Sequence, residues 1–267
     1  MSTGKLYIRG TISNGLAAAI LYGVCQIAEG QLRKYVVVAV AVQLLVFLIH
    51  GLPHRSEKFY DLSGSITHFL VVSSSLLRES KVRSVRQIIT ALASTVWMTR
   101  LGTFLFLRIN RDGKDERFAA ITPVWLSFLG AWMLQAAWVI LTQLPVILMN
   151  EVGANTSAAS GGGLSTLEET PLGLLDAACA ITWLVGFCVE FTADLEKFTF
   201  RGEAKNRDKF ISSGLWAMCR HPNCEWKPHS ITLPLRFYSL ELMLFQQILG
   251  KLPCGQQLLL LQAKAAR

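Results

Sequence analysis

Charged residues are scarce in this chain. Asp, Glu, Lys and Arg make up 16% of the 267 residues, against 52% hydrophobic residues. A soluble domain carries about 25% charged residues. With a mean hydropathy of +0.39, the deficit excludes an ordinary soluble enzyme and points to an integral membrane protein. Other absences narrow the field. No G-x-G-x-x-G occurs, so a Rossmann nucleotide site is excluded. The GGG at 161–163 is followed by no P-loop lysine and reads as loop. The six cysteines show no disulfide-framework spacing, and Cys25, Cys179 and Cys188 lie in apolar runs, where a thiol acts as a small hydrophobe. The opening MSTGKLYIRGTISNG lacks the pattern of a signal peptide. Cys219, His221, Cys224 and His229 form C-x-H-x-x-C-x4-H, which departs from structural-zinc spacing, and no metal is expected.

What is present is a series of apolar runs. A span needs about 20 apolar residues. Candidates are Asn14–Ala28, Tyr35–His50, Phe59–Leu77, Gln87–Leu107, Val124–Met149 and Leu172–Thr192. The expected fold is therefore all-α, a multi-pass transmembrane bundle of about six spans. Thr122-Pro123 and Thr170-Pro171 read as helix starts, each with a capping hydroxyl before a proline. The segment between the last two spans is rich in Gly, Ser and Ala and reads as a flexible loop.

The net charge is +8 and the pI about 9.3. In a membrane protein such charge collects at cytoplasmic loops and anionic lipid heads, so no nucleic-acid partner is expected. A cytoplasmic N-terminus puts fourteen Lys and Arg residues on the cytoplasmic side, including Lys197 and Arg220, and six on the other. The Asn155-Thr156-Ser157 sequon then falls in a lumenal loop.

Ionisable groups at membrane depth are candidates for function. Tyr60 and Asp61 open the third run, where Asp61 also reads as a first-turn acid favoured by the helix dipole. Arg100 needs a carboxylate or a wet cavity, and Glu190 is its candidate partner. His50 and His68 read as interfacial or packed rings, and the seven tryptophans as anchors and packing. After the last span, residues 194–223 interleave six basic residues with Phe198, Phe200, Phe210 and Trp216. This is either a solvated juxtamembrane stretch or an anion site. A phosphorylated dinucleotide needs cations, amides and carboxylates, and a flat shelf, and the segment supplies all three.

Four segments, in this order, carry a resemblance: FYDLSGSI (59–66), RLGTFLFLRINRDGKDERF (100–118), GFCVEFTADLEKFTFR (186–201) and NRDKFISSGLWAMCRHPN (206–223). Together they resemble the membrane proteins related to the C-terminal domain of steroid 5-alpha-reductase. The resemblance implies a multi-helix membrane reductase of the endoplasmic reticulum that uses NADPH at the cytoplasmic ends of its C-terminal helices. It implies reduction of an activated double bond in a steroid, sterol or other lipid, with hydride added to the β-carbon of an enone while an acid polarises the carbonyl. Isoprenylcysteine methyltransferases share part of the architecture, so methyl transfer from S-adenosylmethionine is the second chemistry. A non-catalytic, truncated membrane protein is the third reading.

Carried onto this chain, the resemblance puts Asp194, Lys197, Asn206, Gly214, Trp216, Arg220, His221, Pro222 and Asn223 on the cofactor side. Lys197 and Arg220 would serve phosphate. Asp194, Asn206 and Asn223 would serve ribose or amide, and His221 either. Tyr60 and Asp61 fall on the substrate side as the catalytic candidates. The implied organisation is N-terminal helices over 1–58, a reductase-like membrane domain over 59–223 and a divergent tail over 224–267. The family continues as RHPNY-FGE, whereas Asn223 is followed here by Cys224-Glu225-Trp226. The simplest expectation is an altered transcript end that leaves the cofactor site incomplete.

Overall fold

The computed structural model describes residues 2–77, 83–155, 172–206 and 209–218. Every regular element among them is helical: α1 (Thr3–Gln26), α2 (Arg33–His54), α3 (Tyr60–Leu76), α4 (Val85–Asp112), α5 (Glu116–Ala119), α6 (Trp125–Asn155), α7 (Leu174–Gly202) and α8 (Leu215–Met218). Two compact units result, one holding α1–α6 and the other α7–α8. Each is described by itself.

Among the described residues, four helices are long and apolar enough to cross a membrane: Arg33–His54, Val85–Asp112, Trp125–Glu151 and Asp176–Gly202. They cover four of the six expected spans. The other two expected spans are also helical but different in kind. Helix α1 starts at Thr3, so it takes Lys5 and Arg9 into its first turns. Helix α3 has 17 residues, fewer than the about 20 that a perpendicular span needs.

Helix α6 is the axis of the first unit, in contact with α1, α2, α3 and α4. Of its most apolar stretch 67% is buried, against 33% for α2 and α4. It is apolar around its whole circumference, as a helix surrounded by others should be. At one end Phe47, Phe118, Phe128 and Trp132 pack edge to face, with centroids 5.6–6.3 Å apart.

Lipid offers no hydrophobic drive between helices, so close packing and interhelical hydrogen bonds hold them together. Both are present. Gly10 and Ser13 of α1 lie against Leu126, Ser127 and Gly130 of α6, and Asn14 donates to the Leu126 carbonyl at 3.0 Å. Gln43 of α2 donates to Thr67 of α3 at 2.9 Å and accepts from Ser63 at 3.0 Å. Ser94 of α4 donates to Gln143 of α6 at 2.7 Å. Asn150 of α6 donates to Ser75 of α3 at 2.8 Å.

Local chemistry sets the helix ends. Ser84 and Gln87 form a capping box at the start of α4, and the Gln87 amide also donates to the Met149 carbonyl at 3.1 Å. Gly113 ends the same helix with φ +78°, a conformation that suits glycine. The expected cap at Thr122-Pro123 is not used. Thr122 donates instead to the Phe118 carbonyl at 2.7 Å, and α6 begins at Trp125. Thr170-Pro171 lies outside the described residues; α7 begins at Leu174, where Asp176 accepts the Gly173 N–H at 2.8 Å.

Candidate functional site

Tyr60 and Asp61, the expected substrate-side pair, stand in the first turn of α3. The Tyr60 ring packs edge-on to Phe118 at 4.8 Å and Trp132 at 5.3 Å. Its hydroxyl donates to the Ala131 carbonyl at 3.1 Å, so this tyrosine also ties α3 to α6. Asp61 accepts from Arg108 of α4 at 3.4 Å. Arg108 also lies 3.6 Å from Asp115, the N-cap of α5, which chelates Arg117. The Asp115 N–H donates to Glu57 at 2.7 Å. Burial pushes the Asp115 carboxyl up, but hydrogen bonds from Arg117 and the charges of Arg117 and Arg108 outweigh it and hold the group below the ordinary carboxylate range. Two of the quoted segments, 59–66 and 100–118, thus meet in one polar network at the aromatic end of the unit.

Sequence reasoning passed over Arg108, the partner of Asp61, and Asp115 and Arg117 behind it. Their signal was present, since all three lie in the 100–118 segment, but their separation from Asp61 in sequence hides the contact.

The expected cofactor-side residues of the second unit form a hairpin. Helix α7 carries Asp194 and Lys197, three residues apart and so on neighbouring positions of one face. Past α7, Asn206 turns the chain: its amide donates to the Phe200 carbonyl at 3.2 Å and to Glu203 at 2.9 Å. Exposed Glu203 is held below its ordinary value by Lys205, through a hydrogen bond and charge. Gly214, at φ +59°, then brings α8 back along α7. A side chain at Gly214 would meet the Glu196 carboxylate, which accepts the Leu215 N–H at 3.1 Å. Trp216 donates from its indole to the Ala193 carbonyl at 3.0 Å. The Lys197 ammonium lies 4.5 Å over the Trp216 ring, a cation–π arrangement.

Lys197 and Trp216 are therefore brought together, with Asn206 closing the turn that joins them. Arg220, His221, Pro222 and Asn223 lie outside the described residues. So do Cys219, Cys224, His229, the tail from 224 onward and the Gly-rich loop at 156–171. Arg100 belongs to the first unit and Glu190 to the second, and each unit is described by itself. His50 stacks on His54 at 4.7 Å and meets Phe59 edge-on at 4.5 Å, in keeping with a packed ring.

Glu196 was not anticipated. It organises the start of α8 by taking a backbone N–H, a role that no spacing within α7 announces.

A family model described as protein of unknown function (DUF1295) matches residues 46–225, a stretch that takes in all four quoted segments. No curated protein and no solved structure matches the chain. The match spans well over half of the 267 residues. The chain is thus a membrane-type helical protein that belongs to the DUF1295 family, a steroid 5-alpha-reductase-like family.

Proposed function

We propose that this protein is an NADPH-dependent reductase of activated carbon–carbon double bonds in lipid or steroid-like enones, working in the endoplasmic reticulum membrane. The observation that carries the reading is the Lys197–Trp216 pair at the C-terminal part of α7, in the segment where the family resemblance implies the cofactor. A dinucleotide phosphate requires a cation, a flat apolar shelf and amide or carboxylate partners. Lys197, Trp216, Asn206 and Asp194 are of these types, so the residues fit the group. Arg220, His221 and Asn223 complete the proposed set.

NADPH, when bound, supplies the hydride. The chain's own residues do the rest. Lys197 and Arg220 hold phosphate. The indole of Trp216 is pinned by its bond to Ala193 and offers one face to a ring. The Asn206 amide N–H groups are engaged by Phe200 and Glu203, which leaves its carbonyl oxygen to accept from a ribose hydroxyl. Asp194 would accept from ribose. Glu196 is bound to the Leu215 N–H, which draws an acid that would repel phosphate into the hairpin's own hydrogen bonding.

On the substrate side the proposed pair is Tyr60 and Asp61. Of the two, Tyr60 carries the O–H that can polarise a carbonyl, after exchanging Ala131 for the substrate oxygen. Asp61, held by Arg108, positions the start of α3.

The test is a titration of the full chain in detergent with NADPH and, separately, with S-adenosylmethionine, followed by tryptophan quenching. NADPH binding that weakens about tenfold or more in Lys197→Met, Trp216→Ala and Arg220→Ala supports the reading; tenfold corresponds to about 1.4 kcal/mol per lost contact. We expect an affinity weaker than micromolar, because the residues after Asn223 leave the family pattern. S-adenosylmethionine binding without NADPH binding overturns the reading in favour of methyl transfer. Binding of neither leaves a non-catalytic membrane protein.

A further inference from the structure

A cavity of about 340 Å³ lies between α3 and α4, wholly within the first unit. That is within the range of small-molecule pockets, about 300–1,000 Å³. Its wall is largely apolar, with Leu62, Ile66 and Phe69 on one side and Met98, Phe106 and Leu107 on the other. Of the five hydroxyls on the wall, those of Thr99 and Thr103 add polar points near its α4 side, and the other three have their protons engaged. Ser65 donates to the Asp61 carbonyl at 3.1 Å, Ser94 to Gln143 at 2.7 Å and Thr95 to the Ala91 carbonyl at 2.8 Å.

His68 differs from these hydroxyls. It lines the cavity and is 1% exposed. Among the described residues neither of its ring nitrogens has a hydrogen-bond partner. Trp138 and Trp97 hold the ring edge-on, at 5.2 and 6.1 Å, and so fix its orientation. Buried polar atoms nearly always have a partner. Two unsatisfied nitrogens on a pre-positioned ring beside a cavity mark the place for a ligand atom.

The mouth says where that ligand comes from. Ile66, Phe69 and Leu107 are 44%, 55% and 55% exposed. They lie on α4, which is apolar enough to cross a membrane, and on α3 packed beside it. In a bilayer these side chains face acyl chains. Among the described residues no Lys or Arg lines the cavity, so nothing there would hold a phosphate headgroup.

We propose that this cavity is a lipid site and that His68 is its polar anchor. The occupant is a membrane-dissolved, otherwise apolar lipid with one hydroxyl or carbonyl group, which hydrogen-bonds the imidazole. An uncharged imidazole offers one N–H donor and one acceptor. A hydroxyl can pair with either nitrogen, as donor or as acceptor, whereas a carbonyl can pair only with the N–H, so an alcohol suits either tautomer and a ketone only one. The site shares no residue with the proposed nucleotide set and does not depend on the reductase reading.

The test uses the full chain in lipid nanodiscs and needs no NADPH. Two probes carry a mid-chain diazirine: hexadecan-1-ol and hexadecane. The alcohol should label the peptides spanning residues 62–72 and 94–107, and the hydrocarbon should not favour them. His68→Phe keeps a packed ring but removes both nitrogens, and should cut labelling by the alcohol about tenfold, as loss of a buried hydrogen bond implies. His68→Gln retains a donor and an acceptor and should recover part of it. Thr95→Phe fills the cavity, leaves His68 in place and should abolish the labelling. Unlabelled cholesterol and unlabelled hexadecan-1-ol as competitors distinguish a ring system from a chain, and competition by either supports the site. Labelling spread evenly over the lipid-facing helices overturns the proposal. So does parent-level labelling in Thr95→Phe, or competition by neither lipid.

Discussion

Replacing Gly10 with alanine should loosen the first unit more than replacing any exposed glycine of the same helix. A Cβ on Gly10 would sit 2.6 Å from the Ser127 nitrogen, 2.7 Å from the Leu126 carbonyl carbon and 2.9 Å from its oxygen. All three atoms are backbone, so no rotamer change relieves the overlap. Carbon contacts settle at about 3.5–4.0 Å, so α1 and α6 must part by about 1 Å locally. Overpacking of this kind costs about 1–3 kcal/mol. The shift also strains two interhelical bonds, Asn14 to the Leu126 carbonyl at 3.0 Å and Ser127 to the Leu6 carbonyl. Such bonds are worth about 0.6 kcal/mol each in membrane proteins. The total loss is about 2–4 kcal/mol. Gly15 is the internal control, because a Cβ there meets nothing within 4 Å. Gly15→Ala should be neutral or gain up to about 1 kcal/mol of helix propensity. The assay is thermal unfolding of the purified full chain in mild detergent, followed by tryptophan emission. Gly10→Ala should melt several degrees below the parent and Gly15→Ala at or above it. Equal melting of the two variants would show that α1 and α6 do not approach as closely as described.

Two further outcomes follow from the polar clusters. Arg117 and Arg108 hold the Asp115 carboxyl low against its burial. A depressed carboxylate stabilises the fold above its unfolded value of about 3.9, and that contribution disappears as pH falls through the folded value. Melting measured from pH 6 to pH 3 should therefore drop more steeply in the parent than in Asp115→Asn, and parallel profiles would remove Asp115 from the stabilising network. In the hairpin, Gly214→Ala meets two penalties: a left-handed backbone at φ +59° and the Glu196 carboxylate in the way of its Cβ. These come to about 1–2 kcal/mol for the backbone and about 1 kcal/mol for the bond from the Leu215 N–H. Amide exchange across 209–218 should accelerate at least about tenfold, and less in Gly214→Asn, which tolerates that backbone better. Unchanged exchange in Gly214→Ala would mean that the turn does not hold α8 to α7.

The apolar runs were legible because bilayer thickness is a length constraint and hydrophobicity is local. Arg33–His54, Val85–Asp112, Trp125–Glu151 and Asp176–Gly202 each contain an expected run or most of one. Helix α1 was read short for the same reason. Its early turns carry Lys5 and Arg9, which a hydropathy reading rejects, yet the face that packs is Leu6, Gly10, Ser13 and Ala17, and small size rather than hydrophobicity qualifies it. The Thr122-Pro123 cap was misread because Phe118 presents a carbonyl that Thr122 reaches first.

The sequence by itself determined that the chain is helical and membrane-type, and its ordered motifs carried the family. It also put Asp61, Lys197 and Trp216 among the residues of interest, since charge and aromatic character can be read one residue at a time. Only the tertiary structure decided their partners. Asp61 meets Arg108 across 47 positions, and Lys197 meets Trp216 through a turn that depends on Gly214. His68 is the sharpest case. As a letter it is one more ring in an apolar run. Its meaning comes from two tryptophans that fix it, neighbouring hydroxyls already engaged, and a cavity beside it. Such facts arise when distant segments exclude lipid and water together, and helical periodicity does not encode them.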